Sequence, residues 1–236
     1  MTRERLTPTI EDYLSVIFVL ERDGEPVVGA RVAELMGVTP PTVTNTLKRM
    51  VRDGLVEMDV PRGAHLTESG QEAARSVIRR HMLTEWMLSR MLSWSKLHQE
   101  AHQLEHAISD EMEAALQIEL KQPELCPHGN PLPGYESVVE GWQPLTLAQA
   151  GERVIIRRIH ELAEEMPEML AFLEAKGVGM GQSAQVKEVL PFNQTVTLAL
   201  PAGEVTLGFA AARYIFVERS LEQTSGSQSG IAEANP

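Results

Sequence analysis

The first 66 residues are punctuated so regularly that few folds are open to them. Ile10, Leu14, Ile17 and Phe18 recur at helical spacing over residues 8–21, and Asp23-Gly24 stops the run. Val27-Val28 are short and extended, and Ala30 to Met36 predicts a second helix closed by Gly37, a residue suited to the left-handed position past a helix end. A third helix opens at Thr39 or Pro40, with Pro41 in the first turn, where a missing N–H costs nothing. Val43, Leu47 and Met50 form its apolar stripe, and Asp53-Gly54 ends it. Leu55 to Val60 predicts a strand, Pro61-Arg62-Gly63 a turn and Ala64 to Leu66 a returning strand. Two short helices around a tight turn, followed by a two-stranded wing, predict a winged helix-turn-helix.

The last helix of that unit turns Thr42, Thr44, Asn45, Lys48 and Arg49 away from its apolar stripe. Hydroxyl and amide groups reach base edges or phosphates, and Lys48, Arg49 and Arg62 suit phosphate. Charge restrains this reading. The chain carries −12 overall, and residues 1–75 hold nine Lys+Arg against twelve Asp+Glu, a net of −3. That excludes broad nonspecific nucleic-acid binding. DNA binding therefore needs a local basic face and something cationic beside it, such as a divalent metal.

Beyond the wing, Thr67 or Ser69 caps a predicted long helix to about Leu92, and Ser95 caps another to about Leu120. Both are rich in Leu, Met, Ile and Ala at helical spacing, the pattern of a dimer interface next to a small DNA-binding unit. Residues 121–150 hold five prolines and read as a linker. From Arg153 short strands take over: Arg153 to Ile159, Ala184 to Leu190, Thr195 to Leu200, Val205 to Phe209 and Arg213 to Glu218, with a short helix from Pro167 to Lys176. They predict a small β-barrel. The fold class is mainly α with small β. Expected domains are a DNA-binding unit over 1–74, a helical dimerisation and metal-binding domain over 75–126, a linker over 127–150, a barrel over 151–221 and a disordered tail over 222–236.

Within the second long helix lies His98-Gln99-Glu100-Ala101-His102-Gln103-Leu104-Glu105-His106, with three of the seven histidines. At about 100° per residue, His98, His102, Glu105 and His106 share a stripe roughly 100° wide. Imidazole and carboxylate together suit Mn²⁺, Fe²⁺, Zn²⁺, Co²⁺ and Ni²⁺. His81 and Glu85 repeat the pairing at i, i+4 one helix earlier. The plain alternative is a solvated polar face. Cys126 and His128 also have ligand chemistry, but no second Cys accompanies them and the reading favours a structural loop. A single cysteine suits a reducing cytoplasm, the start Met-Thr-Arg-Glu-Arg-Leu-Thr-Pro has no apolar signal region, and no apolar run is long enough to span a membrane.

Several motifs together resemble the diphtheria-toxin-repressor family of metal-dependent transcriptional regulators. They are Glu11-Asp12-Tyr13-Leu14, Val38 to Arg49, Arg52-Asp53-Gly54-Leu55-Val56, Arg80-His81 to Glu85, the histidine stripe with Ser109-Asp110-Glu111, and Cys126 to Gly134. The resemblance implies a winged-helix domain, a helical dimerisation domain and a C-terminal SH3-like β-barrel. It also implies two metal sites per subunit. The regulatory site would use Asp12, His102, Glu105 and His106. An ancillary site would use His81, Glu85 and His98, completed from the C-terminal domain by Glu161 and Glu164. Thr39, Pro41, Thr42, Thr44 and Asn45 fall where the family's DNA-contacting residues lie.

Two positions bear on the metal. Iron-type members carry Met where this chain has Asp12 and Cys where it has His102; manganese-type members carry Asp and usually Glu. Hard carboxylate oxygen at Asp12 leans to Mn²⁺, while His102 leaves Fe²⁺ open. The expectation is a cytoplasmic homodimer that binds double-stranded operator DNA when loaded with Mn²⁺, or alternatively Fe²⁺, and represses metal-uptake genes. No membrane and no organic ligand are expected as partners, and no enzymatic activity. A metalloenzyme using the His/Glu stripe would need a general base and an open ligand position, and neither His-Glu-x-x-His nor a nucleophile motif is present. A winged-helix regulator sensing an organic ligand would bind DNA equally well in chelator.

Overall fold

The computed structural model describes residues 6–59 and 63–220. Helix α1 (Pro8–Arg22) starts with proline in its first turn and buries Ile10, Tyr13, Leu14 and Ile17. Helices α2 (Gly29–Leu35) and α3 (Pro40–Arg52) follow as the sequence predicts. In α3, Val43, Leu47 and Met50 are buried and Pro41, Thr42, Thr44, Asn45, Lys48 and Arg49 are exposed. Strands β1 (Val56–Asp59) and β2 (Gly63–Leu66) pair antiparallel, Val56 opposite Leu66. At Gly63, φ is 101° and a Cβ would lie 2.2 Å from the Val27 carbonyl oxygen. Only glycine lets the wing approach Val27 so closely, which forms a third, bridging contact with it. Val60, Pro61 and Arg62, at the wing tip, lie outside the described residues.

Helix α4 (Glu68–Leu88) is capped by Thr67, whose Oγ1 accepts from the Gly70 N–H at 3.0 Å. It ends at Leu88, short of the expected Leu92. The second long helix expected from Ser95 to Leu120 is three pieces instead. A 3-10 turn (Trp94–Lys96) leads into α5 (Leu97–Leu104), a second 3-10 turn (Glu105–Ala107) follows, and α6 (Asp110–Glu119) comes after extended Ile108. The break is local chemistry. Ser109 accepts from the Met112 N–H at 3.2 Å, and Asp110, Glu111 and Glu113 favour a fresh N-terminus over continuation.

The expected linker is structured. Cys126 N–H donates to Asn130 O at 2.8 Å, closing the Cys126–Asn130 turn. Short 3-10 turns at Glu136–Val139 and Leu145–Leu147 flank β3 (Gln143–Pro144). Beyond it come β4 (Arg153–Ile159), α7 (Glu161–Glu164), α8 (Pro167–Ala175), β5 (Ser183–Leu190), β6 (Thr195–Leu200), β7 (Gly203–Gly208), α9 (Phe209–Ala212) and β8 (Ile215–Arg219). All the strand pairings are antiparallel, in the order β3-β8-β4-β5-β6-β7. The sheet stays open, so the expected barrel is SH3-like but unclosed. Proline in β3 fits an edge position, where a missing N–H leaves no ladder bond unmade. The tail expected over 222–236 lies outside the described residues.

Two hydrophobic cores result. One joins the winged helix to α4, Leu116 of α6 and the loop residues Cys126 and Leu132; the other fills the C-terminal sheet. Trp94 packs both against the second core and against a small cluster of Leu88, Leu97 and Ala101. The histidine-bearing segments lie between these cores. No helix among the described residues is long and apolar enough to cross a membrane.

Candidate metal centre and DNA-reading face

Three groups of ligand-type side chains converge between α1, α4, α5, the second 3-10 turn, the Cys126 loop and α7. The first is Asp12, His102, Glu105 and His106, with ligand atoms within 4.8 Å of one another. His106 Nε2 lies 3.1 Å from Asp12 Oδ1 and 3.6 Å from Glu105 Oε1, and His102 Nδ1 lies 3.3 Å from Glu105 Oε1. Glu105 also meets the His81 ring at very short range. Burial opposes its charge, but His81 and His102 overcome this and hold its carboxyl down at about 2. Burial pushes Asp12 up, against the pull of His102 and His106.

The second group is His81, Glu85, His98 and Glu164. His98 Nδ1 approaches Glu164 Oε2 at 2.9 Å, and His81 Nε2 lies 3.4 Å from Glu85 Oε1. Burial alone would lower the His98 pKa; hydrogen bonds that its ring donates to Glu164 and Glu165 raise it to about 9. Glu165, which the sequence reading passed over, faces His98 Nε2 at 3.2 Å.

A third, fully buried group is Glu85, Cys126 and His128; the last two belong to the loop that the sequence predicts to be structural, and Glu85 to the expected ancillary set. His128 Nε2–H donates to the Trp94 carbonyl at 3.2 Å. Its Nδ1 therefore faces Glu85 Oε1 at 3.0 Å and Glu164 Oε1 at 3.7 Å. Burial, then the charges of Glu85 and Glu164, lift the Cys126 thiol well above its usual range. Glu85, held well below the carboxylate range by His128 and His81 despite its burial, belongs to both inner groups.

Glu161 stands apart from all three. Its carboxylate takes a two-pronged contact from Arg22, at 2.6 and 3.0 Å, and another from Arg158 Nη2 at 2.8 Å. These two guanidiniums keep it well below the usual range even though it is buried. Expected in the ancillary set, Glu161 forms an ion pair between the last turn of α1 and the start of α7, while still lining the cavity that reaches that set. Its neighbour His160 makes a parallel contact, Nε2 to Asp23 Oδ2 at 2.5 Å. Arg158 also donates to Asn130 Oδ1 at 2.5 Å, and Asn130 Nδ2 donates to Glu164.

The donor set fits a cation. Asp12 Oδ1, His81 Nε2, both Glu85 oxygens, His98 Nδ1 and His128 Nδ1 are buried and make no well-aligned hydrogen bond among the described residues; they face one another and Glu164 or His106 only as ion-pair neighbours. Buried, unpaired carboxylate oxygens are costly unless they meet positive charge. All of these atoms point into the groups just described. A cavity of about 280 Å³ reaches them, lined in part by Asp12, His81, His102, Glu105 and Glu164.

On the opposite side of the winged helix, α3 presents the exposed residues named above. Thr44 and Thr46 hydroxyls donate back to the Pro40 and Thr42 carbonyls at 3.0 Å. Thr39 and Thr42 hydroxyls share a bond of 2.9 Å. Asn45 and Lys48 are exposed, while Arg49 leans 3.5 Å from Asp53. Arg62, the expected wing contact, lies outside the described residues.

Comparison with known proteins agrees with this organisation. A family model for the iron dependent repressor N-terminal DNA binding domain matches residues 5–64. One for the iron dependent repressor metal binding and dimerisation domain matches 67–134, and one for the FeoA domain matches 143–219. The iron-dependent repressor IdeR of Mycobacterium tuberculosis is 34% identical over 228 residues, covering 91% of this chain and 98% of the relative. The diphtheria toxin repressor of Corynebacterium diphtheriae is 35% identical over 187 residues, covering 78% and 80%. Among solved structures, the manganese regulator SloR superposes with a TM-score of 0.75 at 28% identity, covering 91% of this chain and all 100% of that one. A manganese-dependent transcriptional repressor in complex with manganese gives 0.75 at 30% identity, covering 89% and 100%. Three domains in this order, wrapped around buried histidines and carboxylates, make the chain a member of the diphtheria-toxin-repressor family of metal-dependent transcriptional repressors.

Proposed function

We propose that this chain is a Mn²⁺-activated repressor that binds operator DNA as a homodimer in the cytoplasm and turns off metal-uptake genes. The observation that carries the reading is the first group: Asp12 on α1 of the reading head converges with His102, Glu105 and His106 of the dimerisation domain. A divalent ion bound there supplies positive charge that cancels the repulsion between Asp12 and Glu105 and favours the conformation that joins the two domains. Asp12 carries the position of α1. Glu105 and His106 hold their end through the 3-10 turn, whose break from α5 swings them toward α1. His81, Glu85, His98 and Glu164, together with Cys126 and His128, form an inner pair of groups joined by Glu85, and we assign them the ancillary role. Glu161 has no ligand role in this reading. Thr39, Pro41, Thr42, Thr44 and Asn45 read the operator; Lys48, Arg49 and Arg62 contact phosphate.

Exposed Met91, Leu104, Met112 and Ile118 on the helical domain support its use as a dimer face. The oxygen of Asp12 supports Mn²⁺. Fe²⁺ is the second reading, favoured by His102 and by similarity to IdeR. The test is operator binding by metal-stripped protein titrated with Mn²⁺, anaerobic Fe²⁺ and Zn²⁺. Affinity should rise at least about tenfold with the activating ion, a coupling of roughly 1.4 kcal/mol. Equal affinity in chelator and in saturating ion would overturn the reading. A response to Fe²⁺ but not Mn²⁺ would overturn the choice of metal alone.

A further inference from the structure

Glu11 is adjacent to Asp12 on α1, is only 4% exposed, and belongs to none of the three ligand groups. Its two oxygens are committed differently. Oε1 accepts from Arg80 Nη2 at 2.8 Å, and Oε2 meets His106 Nδ1 at 2.6 Å. An ionised carboxylate only accepts, so Nδ1 carries the hydrogen. That leaves His106 Nε2 as the ring's other atom, and Nε2 is the one that faces Asp12 and Glu105.

Arg80 extends the arrangement. It is 5% exposed on α4, and its Nη1 reaches the Ile108 carbonyl at 3.4 Å, just past the 3-10 turn that carries Glu105 and His106. One guanidinium thus grips α1 through Glu11 and the far end of the turn through Ile108. Asp12 lines the cavity of about 280 Å³ that reaches the ligand groups, whereas Glu11, Arg80 and Ile108 line a separate cleft on the other side. Consecutive residues on one helix therefore face the ligand group from inside and from behind.

We propose that Glu11, anchored by Arg80, is a positioning residue for the regulatory metal group: it fixes the tautomer and ring orientation of His106 and presents Nε2 to the ion. This rests on reading Asp12, His102, Glu105 and His106 as that group. A carboxylate behind a ligating imidazole raises its basicity and holds its ring, and losing such a partner costs about 10–100-fold in metal affinity. A purely structural Arg80–Glu11 pair would leave that affinity unchanged.

The experiment uses the full-length dimer in a Glu85→Gln background, which removes the carboxylate shared by the other two groups. Mn²⁺ binding is measured by equilibrium dialysis, with dimer mass and circular dichroism as folding checks. Glu11→Gln keeps size and a bond to Arg80, and should weaken Mn²⁺ binding by about 10–100-fold. Arg80→Met should weaken it by less. Nitrogen-15 NMR of the His106 ring, in metal-free protein at a pH where the ring is neutral, should show Nδ1–H in the parent and a shift toward Nε2–H in Glu11→Gln. Binding within twofold of the parent in Glu11→Gln, or an Nε2–H ring in the parent, overturns the role of Glu11. Unchanged binding in Arg80→Met overturns the anchoring role of Arg80. If Asp12→Ala also binds Mn²⁺ like the parent, the reading of the group itself fails, and the proposal fails with it.

Discussion

Glu105 and His98 respond to pH in opposite directions. Glu105 is held at about 2 against an ordinary 4.5, so its contribution to stability is present above 4.5 and is lost as pH falls toward 2. His98 is raised to about 9 from 6.5, so its contribution is present below 6.5 and is lost as pH rises through 9. Metal-free protein should therefore show its highest denaturant midpoint between these ranges. Ligation requires the neutral imidazole, so Mn²⁺-loaded protein should keep or gain stability as pH rises from 6.5 toward 9. Midpoints of the two forms measured across that range check this, and a metal-free midpoint that rises there would contradict it. Cys126→Ser gives a second test. A soft thiolate favours Zn²⁺ and Cd²⁺ over Mn²⁺, so the variant should lose more affinity for the first two ions than for Mn²⁺ by competition dialysis. At this scale the sequence was legible where ligand-type side chains recur at close spacing, as in His98 to His106, although the chain leaves the α-helix at Glu105 and divides them between two groups. The sequence reading groups Glu161 with Glu164 in the ancillary set, because nothing local shows that Arg22 and Arg158 pair with the first carboxylate while Glu164 faces His98. For Cys126 and His128 the sequence favours a structural loop, and it cannot show that Glu85 from α4 comes within ligand distance of both.

Among the elements, the winged helix was readable almost residue by residue, because Gly37, Gly54 and the prolines of α3 mark its ends. The break between α5 and α6 was not. A helical stripe continues across it on paper, and only the Ser109 cap and its acidic first turn show why the chain restarts. On α3, Lys48→Ala should lower affinity for every DNA sequence and reduce the salt slope by about one unit, while changing Asn45 should alter base preference. Binding isotherms at several salt concentrations separate the two, and an unchanged slope in Lys48→Ala would remove that residue from the phosphate contacts. The pairing of α1 with α7 is a third case. Arg22→Met removes a two-pronged bond from a carboxylate that keeps Arg158, and should cost about 1.5–3 kcal/mol of stability. A shift below about 0.5 kcal/mol in chemical denaturation would mean that the pair contributes only as an exposed ion pair does.

The whole molecule is two cores joined by the polar groups around the histidines and by Trp94, which packs on both sides of the junction. The candidate ligand groups lie at that junction, so an ion bound there should link occupancy to domain docking. With free Mn²⁺ at about a hundred times Kd, linkage stabilises the folded state by roughly 2.7 kcal/mol. The same addition should slow proteolytic cleavage between the helical domain and the sheet. Limited proteolysis with and without Mn²⁺ reads this directly, and equal cleavage rates would show that the junction does not respond to the ion. Asp12→Met replaces the hard oxygen with a thioether and should shift activation of DNA binding toward Fe²⁺ in paired anaerobic titrations.

Gly129 adopts φ of 84°, and a Cβ there would lie 2.0 Å from the Arg157 carbonyl oxygen. Any side chain would push the loop off β4 and carry Cys126, His128 and Asn130 away with it. In a genetic selection for constitutive, derepressed growth, Gly129 should therefore return null alleles as often as the histidines themselves. It would do so from a position with no side chain, no charge and no contact of its own with metal or DNA.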